Sequence, residues 1–140
     1  MEALSQDERT LTELDHVRLA RLIRGARQES TRRPGSAIDA ILDSASLVPS
    51  RQVPTDIVTM YSQVELADLA TGNTYRLTVC YPSDAEPDFG FVSVLSPVGA
   101  SLIGQRVGSI ARWRTPSGDQ GAAEVLALLF QPEASGDYTM

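Results

Sequence analysis

The sequence predicts an α+β chain: two amphipathic helices, then a small antiparallel sheet of about five strands carrying one short helix. Three observations predict it. Apolar residues recur at helical spacing as far as Val48, and from Asp56 they alternate instead. Pro34-Gly35 splits the helical stretch in two. Ser96-Pro97 opens an isolated helical turn between two strand-like segments.

The first helix is expected to start at Thr10. Thr10 and Glu13 have capping-box spacing, so the hydroxyl can accept from a free first-turn N–H while the carboxylate reaches back. Leu11, Leu14, Val17, Leu22 and Ile23 then form one apolar stripe, with Ala20 and Ala26 alongside and Arg18, Arg21 and Arg24 off it. After Pro34-Gly35, Ser36 is a second N-cap, and Ile38, Ile41, Leu42, Ala45 and Val48 share a face until Pro49. Arms of about 18 and about 13 residues would reach roughly 20–27 Å at 1.5 Å per residue. Helices of that length are marginal alone and must pack on each other and on the sheet. Residues 1–53 are therefore read as a short antiparallel helical hairpin, a short coiled coil, and 54–140 as the sheet domain.

Ile57–Leu66 alternates and is β-rich, Thr71-Gly72-Asn73 is a hairpin turn, and Thr74–Tyr81 returns. A polar loop, 82–88, leads to a third strand over Phe89–Leu95. Ser96 caps the short helix with Pro97 in its first turn, and Gly104 ends it. Gly108 turns the chain into a fourth strand, and Pro116-Ser117-Gly118 turns it into a fifth, Ala122–Gln131. The Ala and Leu of that last segment would also suit a helix; its strand context decides for a strand.

Charge is unevenly distributed. All 12 basic residues are Arg; residues 1–51 are neutral overall, and 52–140 carry the whole net charge of −6. Residues 16–33 hold six Arg against one acid, Glu29. An acidic body with a basic projection argues against nucleic-acid binding by the body and suits an acidic protein partner or a solvated helix. No apolar run is long enough to span a membrane. The acidic start, MEALSQDERTLTELD, is unlike a secretory signal, and a lone Cys80 fits a reducing cytoplasm.

Nothing in the residues points to catalysis, a metal or a cofactor. His16 has no nucleophile elbow to serve and reads as a surface histidine beside Asp15. Cys80 reads as a small buried hydrophobe. Asp84, Glu86 and Asp88 lack the glycine and distal Glu of a calcium loop. Gly99, Gly104 and Gly108 match no phosphate loop and serve as turns and caps. Trp113, Phe89, Phe91 and Phe130 are expected in the core or in sheet packing, and 6% aromatics is too few for a base-stacking platform.

The block from Leu95 to Gly108, LSPVGASLIGQRVG, resembles the C-terminal motif of the bacterial Gre transcript-cleavage factors: Ser-Pro, a small residue, two apolar residues, then basic-x-Gly. VTMYSQVELADLATG resembles the opening hairpin of the same domain. Tyr81-Pro82, Gln131-Pro132-Glu133-Ala134 and Gly136-Asp137-Tyr138 look more like the family's shorter branch, the regulators of nucleoside diphosphate kinase (Rnk). The likeness covers about residues 54–140. It implies an FKBP-like C-terminal domain that docks at the rim of the RNA polymerase secondary channel through Leu95, Ser96, Pro97 and Val98. It also implies a helical hairpin pointing into that channel.

In Gre factors the hairpin tip bears acids that help hold the second Mg²⁺ of the polymerase. Here the arms are short, and the tip, Arg27, Glu29, Arg32 and Arg33, has one carboxylate among three Arg. The expected role is occupancy and competition with Gre-type factors, without transcript cleavage, by a cytoplasmic monomer with no cofactor. An effect on nucleoside diphosphate kinase would then run indirectly, through transcription. The alternatives are a prolyl isomerase, which needs an aromatic-lined proline pocket, or an FKBP-like interaction module with another partner.

Overall fold

The computed structural model describes residues 9–29, 37–114 and 118–136. The Pro34-Gly35 turn, the Ser36 cap, Arg32, Arg33, Pro116-Ser117 and Asp137-Tyr138 lie outside the described residues. The architecture is mixed α+β. Strand β1 (Thr10–Thr12), helix α1 (Glu13–Glu29), helix α2 (Ala37–Ser44) and strand β2 (Ser46–Val48) come first. Strands β3 (Gln63–Asp68), β4 (Thr74–Cys80) and β5 (Phe91–Ser93), helix α3 (Pro97–Leu102), and strands β6 (Ile110–Arg114) and β7 (Gln120–Phe130) follow.

The start of α1 differs from expectation. Thr12, not Thr10, is the cap: its Oγ1 accepts from the Asp15 N–H at 3.0 Å. Thr10–Thr12 instead form a parallel ladder with Ser46–Val48. The second helix is correspondingly shorter than expected. It stops at Ser44, because Leu47 and Val48 extend to complete that ladder. The buried face keeps Leu11, now in β1, and Ile23 of the expected stripe but passes through Leu19 instead of Val17. Leu19 and Ile23 are buried, whereas Val17 is 47% exposed. The residue one turn before Leu19 on that face is Asp15.

The five-stranded sheet has the order β5-β4-β3-β7-β6. All neighbours are antiparallel except β4 and β5, which the 82–88 segment joins as a parallel pair. That is one departure from the wholly antiparallel expectation. The first sheet strand starts at Gln63 rather than Ile57. Thr59 to Ser62 make a buried turn, with Tyr61 at φ 66°. Such a φ is uncommon outside glycine and is held here by the surrounding bonds.

The last segment is a strand throughout, despite its Ala and Leu content. Two β-bulges punctuate it. Gln63 pairs with Phe130 and Val64 with Leu128, leaving Leu129 as an extra residue; Glu65 pairs with Ala127 and Leu66 with Val125, leaving Leu126. Both extra leucines are exposed. At the sheet edge, Trp113 packs its indole over Gly121, filling the space a side chain would take.

One core serves the whole described chain. Leu19 and Ile23 of α1 and Ile38 and Ile41 of α2 pack in the same cluster as Val64, Leu66, Val79, Val125, Leu102 and Ile103. Of the expected core aromatics, Trp113 is partly buried against this cluster, but Phe89 is 76% exposed, and Phe91 and Phe130 lie on the open face of the sheet.

Candidate functional site

The segment from Ser93 to Gly99 is a turn built by its own side chains. Ser93 Oγ accepts from the Leu95 N–H at 3.0 Å. Ser96 Oγ donates to the Ser93 carbonyl at 2.6 Å and accepts from the Gly99 N–H at 3.1 Å. The Ser96 hydroxyl thus spends its one proton and one of its two lone pairs on shaping the turn. Pro97 stands exposed in the first turn of α3, where its missing N–H costs nothing. Leu95 and Val98 are half-buried against the core. Gly99 lies directly under the Ser93 carbonyl, which explains the small residue there.

The far end of α3 is tied to the first strand. Arg9 donates through Nη1 to the carbonyls of Ala100 (3.0 Å) and Ile103 (2.9 Å). The Thr10 N–H reaches the Gly104 carbonyl at 3.1 Å, and the Ser46 N–H reaches the Arg9 carbonyl at 2.9 Å. Gly104, at φ 81°, closes the helix as its position suggested.

A polar junction unannounced by the sequence joins α1 to the 59–62 turn. Asp15 is 1% exposed, and its Oδ2 accepts from the Met60 N–H at 3.1 Å. Burial outweighs that bond and, with the Glu133 charge adding, lifts its carboxyl to about 6. Beside it, Thr59 Oγ1 donates to Glu133 Oε1 at 2.7 Å, and Ser62 Oγ accepts from the Thr59 N–H at 2.9 Å. Gln131 completes the junction, its Nε2 donating to the carbonyls of Pro54 (2.9 Å) and Ile57 (2.8 Å). Next to it, burial and the Asp15 charge push the Tyr81 phenol up to about 12.

Of the other candidates, His16 is not a free surface residue: its Nε2 donates to the Leu42 carbonyl at 3.0 Å, pinning α1 to the end of α2. Cys80 is buried, and burial raises its thiol, as a core residue requires. Arg27 and Glu29 fall in the last turn of α1. Among the described residues no group of three or more His, Cys, Asp or Glu could hold a metal ion. No described helix is long and apolar enough to cross a membrane.

Similarity to known proteins decides the family. The profile described as transcription elongation factor GreA/GreB, C-terminal, matches residues 53–129. The chain belongs to the Gre-factor family. Within it, the chain is 40% identical over 104 residues to the regulator of nucleoside diphosphate kinase of Escherichia coli (strain K12), covering 74% of this chain and 76% of that one. It is 30% identical over 83 residues to the transcription elongation factor GreA of Chloroherpeton thalassium, covering 59% of this chain but only 52% of that factor. The solved structure of a prokaryotic transcription elongation factor GreA/GreB from Nitrosomonas europaea superposes with a TM-score of 0.71 at 26% identity. It covers 87% of this chain and 99% of that one, so the mixed α+β architecture is that of a Gre factor. Membership in this family supports a regulatory role of the transcription-factor kind.

Proposed function

We propose that the protein is a transcription regulator that docks on bacterial RNA polymerase at the rim of the secondary channel. In this reading it competes there with Gre-type factors. The observation that carries it is the Ser93–Gly99 turn, prebuilt by its own side chains and lying within the residues that the Gre-type profile matches. Residues 54–140 act as an FKBP-like docking domain, and residues 1–53 as a short helical hairpin directed toward the channel. Leu95, Ser96, Pro97 and Val98 form the contact, with Pro97 as its tip. The setting is cytoplasmic, and one copy suffices. The isomerase alternative is not favoured by the relatives, which are named as a regulator and as transcription elongation factors.

The test is equilibrium binding to purified core polymerase. Pro97→Asp places a charge on the exposed tip, where an acid in a first helical turn is tolerated by the fold. It is expected to weaken binding about tenfold, about 1.4 kcal/mol, with an unchanged melting temperature. Wild-type affinity in the folded variant would remove this surface from the contact. Val98→Glu is a poorer probe, since Val98 packs on the core.

Transcript cleavage is not expected. The 17 residues of α1 reach about 25 Å at 1.5 Å per residue, and the tip has one carboxylate, Glu29, among Arg27, Arg32 and Arg33. A second Mg²⁺ needs carboxylates, not guanidinium groups. A backtracked elongation complex with excess protein should shorten its RNA no faster than polymerase alone; faster shortening overturns this. The three Arg instead speed association. Replacing all three with Gln should slow binding at low salt and leave it near normal at high salt, where screening acts. Equal rates at both ionic strengths would reduce the tip to a solvated turn.

A further inference from the structure

The open face of the sheet carries an aromatic cleft that neither the family likeness nor the docking turn accounts for. The strand register lines up Phe91 with Thr78, Thr78 with Gln63 and Gln63 with Phe130, one row across β5, β4, β3 and β7. Phe91 and Phe130 wall a cleft of about 290 Å³ whose floor is Thr78 and Gln63. Tyr61 closes one side. Its ring is held in place from two directions. The hydroxyl donates to the Asp84 carboxylate, and the ring meets Tyr81 edge-on at a centroid distance of 5.7 Å. The bulge that creates Leu129 adds a further exposed apolar side chain, 42% exposed, beside Phe130. Exposed aromatics clustered on one sheet face mark a contact surface more often than a solvated one.

The border of the cleft is acidic. Asp84 is bonded to Tyr61; Glu86 forms a backbone bridge with Phe91; Asp88 precedes the exposed Phe89; further along the same face Glu65 stands opposite Arg76, so the acids without a facing Arg are those of the 84–88 segment. Residues 52–140 carry ten acids against four Arg. A second copy presenting this face would set acids against acids, and anionic lipid or nucleic acid would be repelled. The occupant that fits is a basic polypeptide segment with one large apolar side chain to enter the cleft.

The cleft and the docking turn lie at the two ends of one strand. From Phe91 to Leu95 is four residues, about 13 Å at 3.3 Å each, so one partner can span both. A single exposed proline is far short of the roughly 800 Å² per partner that a stable complex buries. On the reading that the protein docks on RNA polymerase, we infer that the Phe91–Phe130 cleft is the second half of that interface. It receives a basic segment of the polymerase anchored by one apolar side chain.

The experiment compares binding of wild type, Pro97→Asp, Phe91→Ser/Phe130→Ser and Glu86→Lys/Asp88→Lys to purified core polymerase, with circular dichroism and melting as controls of folding. The cleft reading expects the phenylalanine variant to be folded and at least tenfold weaker. It expects the charge-reversed variant to associate several-fold more slowly at low salt and nearly normally at high salt. Affinity within twofold of wild type for the folded phenylalanine variant overturns it, while leaving the docking turn in place. Should that variant not fold, benzoylphenylalanine in place of the exposed Leu129 serves instead. A crosslink to a basic polymerase segment supports the cleft, and its absence while position 97 crosslinks overturns it. No binding by the wild type overturns both readings at once. Concentration-dependent dimerisation of the wild type that the phenylalanine variant loses would assign the cleft to a second copy and overturn the inference.

Discussion

Replacing Gly99 with alanine is expected to cost about 3 kcal/mol and to lower the melting temperature by roughly 10 °C. The reason lies in the backbone. A methyl group at Gly99 would overlap the Ser93 carbonyl oxygen and sit 2.8 Å from the Ser93 carbonyl carbon and 3.0 Å from the Val94 Cα. These are main-chain atoms of the strand end, and they cannot swing away as a side chain can. Relief would require α3 to lift from the sheet, exposing Leu102 and Ile103, both fully buried. A built-in control is Gly25→Ala in α1. There the added methyl meets nothing within 4 Å, and alanine should stabilise the helix by up to about 1 kcal/mol. Thermal melts of the two variants check both signs. A Gly99→Ala protein that melts with the wild type would show that the turn is not rigid.

The second large effect is a pH dependence set by Asp15. Its carboxyl is raised from 3.8 to about 6, chiefly by burial. Below pH 4 the group is protonated in both the folded and the unfolded chain and contributes no penalty. Between pH 4 and 6 the unfolded chain has released the proton and the folded chain still holds it, so stability falls as pH rises. Above pH 6 the loss is complete, on the order of 1–3 kcal/mol, because each tenfold difference in proton affinity between the two states is worth about 1.4 kcal/mol. Asp15→Asn keeps an oxygen for the Met60 N–H but cannot ionise. Its stability relative to wild type should therefore grow by that amount between pH 4 and pH 7, as read by urea denaturation. A wild-type-minus-variant difference that stays constant with pH would show that Asp15 ionises in the folded chain as freely as in the unfolded one. Removing the acceptor altogether with Asp15→Ala should destabilise at every pH, because the buried Met60 N–H loses its partner.

Much of the sheet and its turns was legible in the sequence because local chemistry and final structure agree there. Ser96 and Pro97 cap α3 as their residue types demand, and Gly72 takes a φ of 78° in the hairpin turn. The strand context of residues 120–130 outweighed their helical composition, and the structure has a strand there. Elsewhere the pattern misled for identifiable reasons. A stripe drawn through Val17 treats Asp15 as outward because it is charged. Running the stripe through Leu19 to Ile23 brings Asp15 onto the buried face, where the backbone N–H of Met60, 45 residues away, gives its carboxylate a partner. The β1–β2 ladder was illegible for a similar reason. Three residues of Thr-Leu-Thr and three of Ser-Leu-Val carry no period, and their pairing is set by partners distant in sequence. Phe89, Phe91 and Phe130 look like core residues by composition alone. The long-range register, which leaves no mark in a single sequence, sets Phe91 beside Thr78 and Phe130 beside Gln63, in the row that faces away from Val64 and Leu66.

The anchoring of the first strand has a mechanical consequence. Arg9 grips two carbonyls of the 100–103 segment, Thr10 adds a third bond at Gly104, and Ser46 locks the returning chain to Arg9. Helix α1 leaves this root already clamped, by the Asp15 and His16 bonds and by Leu19 and Ile23 in the core, and not as a flail on a hinge. A sideways load on α1 is therefore passed, beyond what the Leu19 and Ile23 packing absorbs, to α3, the same six-residue helix that presents Pro97.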